Sequence, residues 1–181
     1  MSNHVEQYIE HLQRLHQRDR GALATLRKSL SFAPGAYPPA FAYVERFVGM
    51  DRKANDPFRL ALYLVAGLYA LHPEVGTDSL AKGLAKLMLR RESGSMENRF
   101  LALRGADPEN LADYLRHVVT LFAADNQGID YAELFADLVV WINPYASEKR
   151  DQIRQKWARD FYGTLTRDDA RTNIAVNPAT N

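Results

Sequence analysis

Apolar residues return at three- and four-residue intervals along most of the chain, and no stretch sustains the two-residue alternation of a half-buried strand. Val5, Tyr8, Ile9, Leu12 and Leu15 trace a first helix behind a Ser2 or Asn3 cap. A second runs from about Arg20 to Leu30 with Leu23, Leu26 and Leu30 on one side, and the loop SFAPGAY follows it. Pro38-Pro39 then suits the first turn of a third helix through about Val48, because a missing amide hydrogen costs nothing where no carbonyl awaits it. Asp56-Pro57 repeats that logic with an acidic cap in front. The segment it opens, FRLALYLVAGLYAL, is apolar almost all round, so it must be covered on every side and is expected at the centre of the N-terminal half. His72-Pro73 ends it, and PEVGT reads as a linker.

Beyond the linker, Leu80, Leu84 and Leu87 mark a helix from about Ser79 to Arg91, with Lys82, Lys86 and Arg90 forming a basic stripe on its opposite side. After the turn SGS, Ser95 can cap a short helix through Arg104. Asp107-Pro108-Glu109 is a cap–proline–acid signature for a helix ending near Ala124 at the turn DNQG. Asp130 with Glu133 forms a capping-box-like pair, Asn143-Pro144 stops the helix it opens, and Ser147 can cap a last helix through about Tyr162. The expected fold is all-α, about eight helices in two packed helical subdomains: residues 1–75, residues 76–163, and an aperiodic, mobile tail at 164–181.

A chain of 181 residues with 46% apolar content can bury a real core without staples. The absence of cysteine removes disulfides, thiolate zinc sites and cysteine nucleophiles. The first residues are polar and amphipathic rather than signal-like, which points to the cytoplasm. The longest apolar run, Leu60 to Leu71, falls short of the ~20 residues of a bilayer span. Net charge is only +1, yet the charges are segregated. Asp107, Glu109, Asp113, Asp125, Asp130, Glu133 and Asp137 face a single Arg116 between Asp107 and Val140, whereas Arg14, Arg18, Arg20, Arg27 and Lys28 stand against Asp19 alone. Such a molecule can hold a polyanion on one surface and a basic protein on another.

No catalytic or metal motif competes. His4, His11, His16, His72 and His117 never pair at three- or four-residue spacing, so no cofactor or metal is expected. GALATLRKS lacks the second glycine of a phosphate-binding loop and reads as helix, and Asp168-Asp169 lies in the expected tail, where nothing would position it for acid–base work. Trp157 and Phe161 share a stripe with Ile153 and are read as core. The basic side chains remain.

The order DSLAKGLAKLMLRRESGSMENRFLALRGAD, LADYLRHVVTLF, IDYAELFADLVVWI and KRDQIRQKWARDFY resembles the CasB family, the small subunit of the type I-E CRISPR complex Cascade, over about Gly21 to Tyr162. The resemblance implies a non-catalytic, all-helical subunit. Its partners would be other Cascade subunits, CRISPR RNA, target DNA and a second copy of itself, with no membrane involved. It implies basic contacts to the guide–target hybrid and displaced strand at Arg27 and Lys28 in LRKS, Lys82 in DSLAKGLA, Arg99 in ENRFLALR, Arg116 in DYLRHVV, and Lys149 and Arg150 at the start of the last helix. Arg52 and Lys53, in the loop before Asp56-Pro57, correspond less closely. The SFAPGAY loop and the C-terminal tail have no counterpart. The competing expectation is a helical protein–protein adaptor that binds no nucleic acid.

Overall fold

A computed structural model describes the backbone of residues 2–176 and the side chains of residues 3–168. Among them, nine α-helices and two short 3₁₀ turns occur, and the only extended pairing is an isolated bridge between Val75 and Ile129. The all-α expectation holds.

Helix α1 (Ser2–Arg18) buries Val5, Tyr8, Ile9 and Leu12, and the Tyr8 hydroxyl donates to the Leu62 carbonyl at 2.8 Å. Helix α2 (Arg20–Ser29) starts where the Asp19 carboxylate accepts from the Ala22 amide. The expected third helix through Val48 is broken into a 3₁₀ turn (Pro38–Ala40), the single-turn α3 (Phe41–Val44) and a second 3₁₀ turn (Glu45–Phe47). That tighter winding accompanies a tertiary anchor: Glu45 accepts from Arg59 and from the Tyr63 hydroxyl, both at 2.6 Å.

Helix α4 (Pro57–Leu71) begins as its sequence predicts, with Asp56 accepting from the Phe58 and Arg59 amides, and eleven of its fifteen residues are buried. Past it, a Cβ on Gly76 would lie 2.7 Å from the backbone of Gly128, an approach only glycine permits. The linker and the turn before α8 meet there, and His72 Nε2 contacts the Gln127 carbonyl at 2.7 Å.

Helix α5 (Leu80–Arg91) is capped by Ser79, whose hydroxyl also donates to Asp160 at 2.7 Å. Helix α6 (Ser95–Gly105) takes in Ser95 instead of using it as a cap. Helix α7 (Leu111–Ala124) opens later than the Asp107-Pro108 signature predicts. Residues 107–110 form a turn closed by the Asn110 amide on the Asp107 carbonyl at 3.0 Å, and the extended Ala106 before it gives its carbonyl to the Trp141 indole and the Arg154 guanidinium. Helix α8 (Tyr131–Ile142) is capped by Asp130 as expected.

Helix α9 runs from Ser147 to Val176, so the expected end near Tyr162 is corrected. Leu165 prolongs the Ile153–Trp157–Phe161 stripe by one more turn and packs on the core, which carries the helix through Gly163 into the stretch read as an aperiodic tail. The last five residues of that stretch, 177–181, lie outside the described residues.

One buried cluster runs from Val5 to Phe161. Helices before and after the linker meet along α4 and α8, where the Phe58 and Phe135 rings stand 5.1 Å apart and the Tyr131 hydroxyl donates to the His72 carbonyl. On the far side Phe100 stacks on Phe161 at 4.1 Å and Trp141 meets Trp157 at 4.9 Å. Trp157 and Phe161 are core, as read from their stripe, and Trp141 is buried with them.

Candidate nucleic-acid interface

The nine basic positions fall at six places on this frame. Arg27 and Lys28 stand exposed on the last turn of α2, where α2 is tied to the end of α4 by Arg27 Nε donating to the Ala70 carbonyl at 3.0 Å. The Lys28 ammonium lies 5.8 Å from the centre of the Tyr37 ring. Arg52 and Lys53 occupy the exposed loop before α4. Arg52 forks onto Asp56 at 3.0 and 3.2 Å and lies 4.0 Å over Phe58, so it braces the α4 cap.

Lys82, on the first turn of α5, stands 3.8 Å from Asp160 of α9. Arg99 is exposed on α6 beside a cavity of about 240 Å³ that it shares with Tyr114 and His117 of α7. Arg116 pairs along α7 with Asp113 at 3.5 Å. Lys149 is exposed at the start of α9, and the half-buried Arg150 donates to the Asn143 carbonyl at 3.0 Å.

Two groups emerge. Arg27, Lys28, Lys53, Arg99 and Lys149 are exposed and hold no carboxylate among the described residues. Arg52, Lys82 and Arg116 do hold one, but their side chains keep 39%, 42% and 40% of their surface in solvent. Exposed pairs of this kind are worth only ~0–1 kcal/mol, so a phosphate can replace the carboxylate at little cost. The stripe Lys82–Lys86–Arg90 is partly consumed in the same way, since Lys86 pairs with Asp78 and its neighbour Arg91 forks onto Asp125 at 2.6 and 2.9 Å.

The acidic segment expected to face a basic neighbour is largely spent inside the fold. Asp125 takes Arg91, Asp130 caps α8, and Glu133 and Asp137 both take Lys156. Asp137 is 7% exposed and receives Lys156 on both oxygens at 3.0 Å and the Trp157 indole at 2.6 Å. Burial still pushes its carboxyl above the usual range.

Two arginines outside the nine meet at one end. Arg104 Nε donates to the Arg154 carbonyl and Arg154 Nη2 to the Ala106 carbonyl, each at 3.0 Å, around a cavity of about 280 Å³ that Asp151 and Gln155 also line. Tyr145, on the α8–α9 connection, is 95% exposed. Arg104 and Arg154 lie on different helices, so no local pattern could join them. Tyr145 did carry a signal, an aromatic ring set between the stop Asn143-Pro144 and the start of a basic helix. Among the described residues, no group of three His, Cys, Asp or Glu side chains is placed to hold a metal ion, and no helix is long and apolar enough to cross a membrane.

The family model for CRISPR-associated protein Cse2 matches residues 22–162. A CRISPR-associated protein Cse2 of Thermus thermophilus is 38% identical over 162 residues, covering 87% of this chain and 89% of that protein. The crystal structure of CasB from Thermus thermophilus is 39% identical, superposes with a TM-score of 0.73 and covers 88% of this chain and 97% of its own. A chain of a CRISPR RNA-guided surveillance complex, 20% identical, shares the fold with a TM-score of 0.80 over 94% of this chain and 98% of its own. The chain belongs to the CRISPR-associated Cse2 family, also called CasB, the small-subunit family of the type I-E Cascade complex.

Proposed function

We propose that this chain is a non-catalytic subunit of a CRISPR RNA-guided surveillance complex that steadies the guide–target hybrid and the displaced strand by sequence-independent contacts. In that complex it meets other Cascade subunits, CRISPR RNA, target DNA and a second copy of itself. The observation that carries this reading is that five of the nine candidate cations, Arg27, Lys28, Lys53, Arg99 and Lys149, are exposed and hold no carboxylate among the described residues, on α2, the loop before α4, α6 and α9. Exchange of a DNA duplex for a guide hybrid is nearly balanced per base pair in Cas9-type effectors, so a few backbone contacts suffice to tip it. Lysine and arginine on phosphates supply such contacts and leave sequence selection to the guide.

The test is joint reversal, Lys28→Glu, Arg99→Glu and Arg116→Glu, in the assembled complex. Target affinity falls, the salt dependence of binding flattens by up to ~0.9 per lost phosphate contact, and helicity is unchanged. Unaltered affinity removes these residues from the interface. One feature favours the adaptor reading instead: an apolar cleft of about 540 Å³ between α1, α4 and α8, lined by Val5, Phe58, Phe135 and Val139. An adaptor retains neither single-stranded RNA nor DNA, so salt-dependent retention by the isolated chain separates the two.

A further inference from the structure

Helix α8 departs from a rule that α4 obeys. Both are apolar almost all round, and a helix of that kind must be covered on every side. In α4 eleven of fifteen residues are buried. Helix α8, charged only at Glu133 and Asp137, buries Tyr131, Leu134, Phe135, Leu138 and Trp141, yet it leaves Ala136 exposed and Ala132, Val139 and Val140 half-buried. Those four recur at helical spacing on one face. They form one wall of the cleft of about 540 Å³, opposite Val5 and Phe58. A second cleft of about 220 Å³, lined by Ile9 and Val75, shares Glu6 and Ala132 with the first, so one groove continues along α1 and α8 to the linker.

The charge along this groove is acidic. Glu6 and Glu10 stand one turn apart on the exposed side of α1, and Asp130 and Glu133 line it from the start of α8. The cations that approach are already engaged: Lys156 is shared between Glu133 and the inward-facing Asp137, and Arg52, over the Phe58 ring, is forked onto Asp56. An apolar floor with an acidic rim complements a helix that carries an apolar stripe between lysines or arginines. The short side chains of Ala132 and Ala136 let such a helix approach α8 closely. A second copy of this chain cannot offer its basic helices α2 and α5 for the purpose, because Leu23, Leu26, Leu80, Leu84 and Leu87 are already spent in the core.

We infer that the α1–α8 groove docks a cationic amphipathic helix of another protein, its apolar side chains at three- and four-residue spacing against Ala132, Ala136 and Val139, and its flanking lysines or arginines on Glu6, Glu10 and Asp130. This rests on the proposed place of the chain in a multiprotein complex and adds the surface that receives one neighbour and the chemistry of that neighbour.

The experiment places p-benzoylphenylalanine at Ala136 of the full-length chain, assembles it with the other subunits of the complex, and identifies the photo-cross-linked peptide by mass spectrometry. The expected product is a segment of another subunit in which lysines or arginines flank an apolar helical stripe. In parallel, titration of the labelled chain into the remaining subunits measures its affinity for the complex. Ala136→Arg fills the groove and sets a like charge against the occupant, so it weakens entry at least about tenfold, and Glu10→Lys weakens it in the same direction. Both positions are exposed, so helicity and thermal midpoint stay unchanged. A cross-link to a second copy, to nucleic acid or to an acidic segment overturns the inference, as does an Ala136→Arg chain that enters with native affinity; the proposed function survives each of these. An unmodified chain that enters no complex sinks both.

Discussion

Lys156→Met isolates the network that joins α8 to α9. In the native chain the ammonium stands 2.7 Å from Glu133 and 3.0 Å from each Asp137 oxygen, and its removal leaves two carboxylates one helical turn apart. Asp137, 7% exposed, then keeps only the Trp157 indole. Removing one partner of a buried pair costs ~3–5 kcal/mol, and the Lys156 side chain is 36% exposed, so solvent screening lowers the expectation to about 2–3 kcal/mol. For a domain of this size that is a fall of about 4–12 °C in thermal midpoint. The loss must depend on pH. Burial already holds the Asp137 carboxyl above its unfolded value, and without Lys156 it rises further. A carboxyl whose folded pKa exceeds its unfolded pKa binds protons preferentially in the folded state, so folding gains as pH falls into that window. Melts followed by circular dichroism at about pH 7.5 and pH 5 therefore show the gap between native and variant narrowing at the lower pH. A gap that is constant or widens on acidification refutes the reasoning, as does a loss below about 0.5 kcal/mol.

Three further expectations concern the frame. Burial, with help from Arg46 and Arg14, holds the His11 imidazole below its ordinary 6.5, and its ring nitrogens are taken by the Tyr43 carbonyl and Arg46. Its stabilisation is thus complete above 6.5 and lost as pH falls through the lowered folded value; an NMR titration of the ring with a midpoint at or above 6.5 contradicts this. Gly76→Ala drives a methyl into the Gly128 backbone and costs about 1–3 kcal/mol in urea unfolding, whereas Gly94→Ala, with open space around it, costs far less. Leu165→Asp lowers the midpoint by about 2–4 °C and reduces helicity beyond Tyr162, because Leu165 ties that stretch to the core; no change in either places Leu165 off the core.

Much of the frame could be read locally. Asp56-Pro57 and Asp130 act as the caps their spacing predicts. Asp107-Pro108 opens a turn rather than the helix itself, which starts at Leu111. The end of α9 is not legible locally although Leu165 sits one turn beyond Phe161, since Gly163 and the polar residues around it mask the stripe. At the candidate interface, the sequence identified which residues carry positive charge, while the division into Arg99 or Lys149 without a carboxylate and Lys82 held near Asp160 came from helices folded together.

Hydrophobic spacing and cap chemistry act over one or two turns, so the chain alone determined an all-α architecture, the all-round burial of α4 and the core position of Trp157. Charge compensation acts through space between groups tens of residues apart. Only the tertiary structure could turn the acidic segment onto Arg91 and Lys156 and gather Arg104 with Arg154.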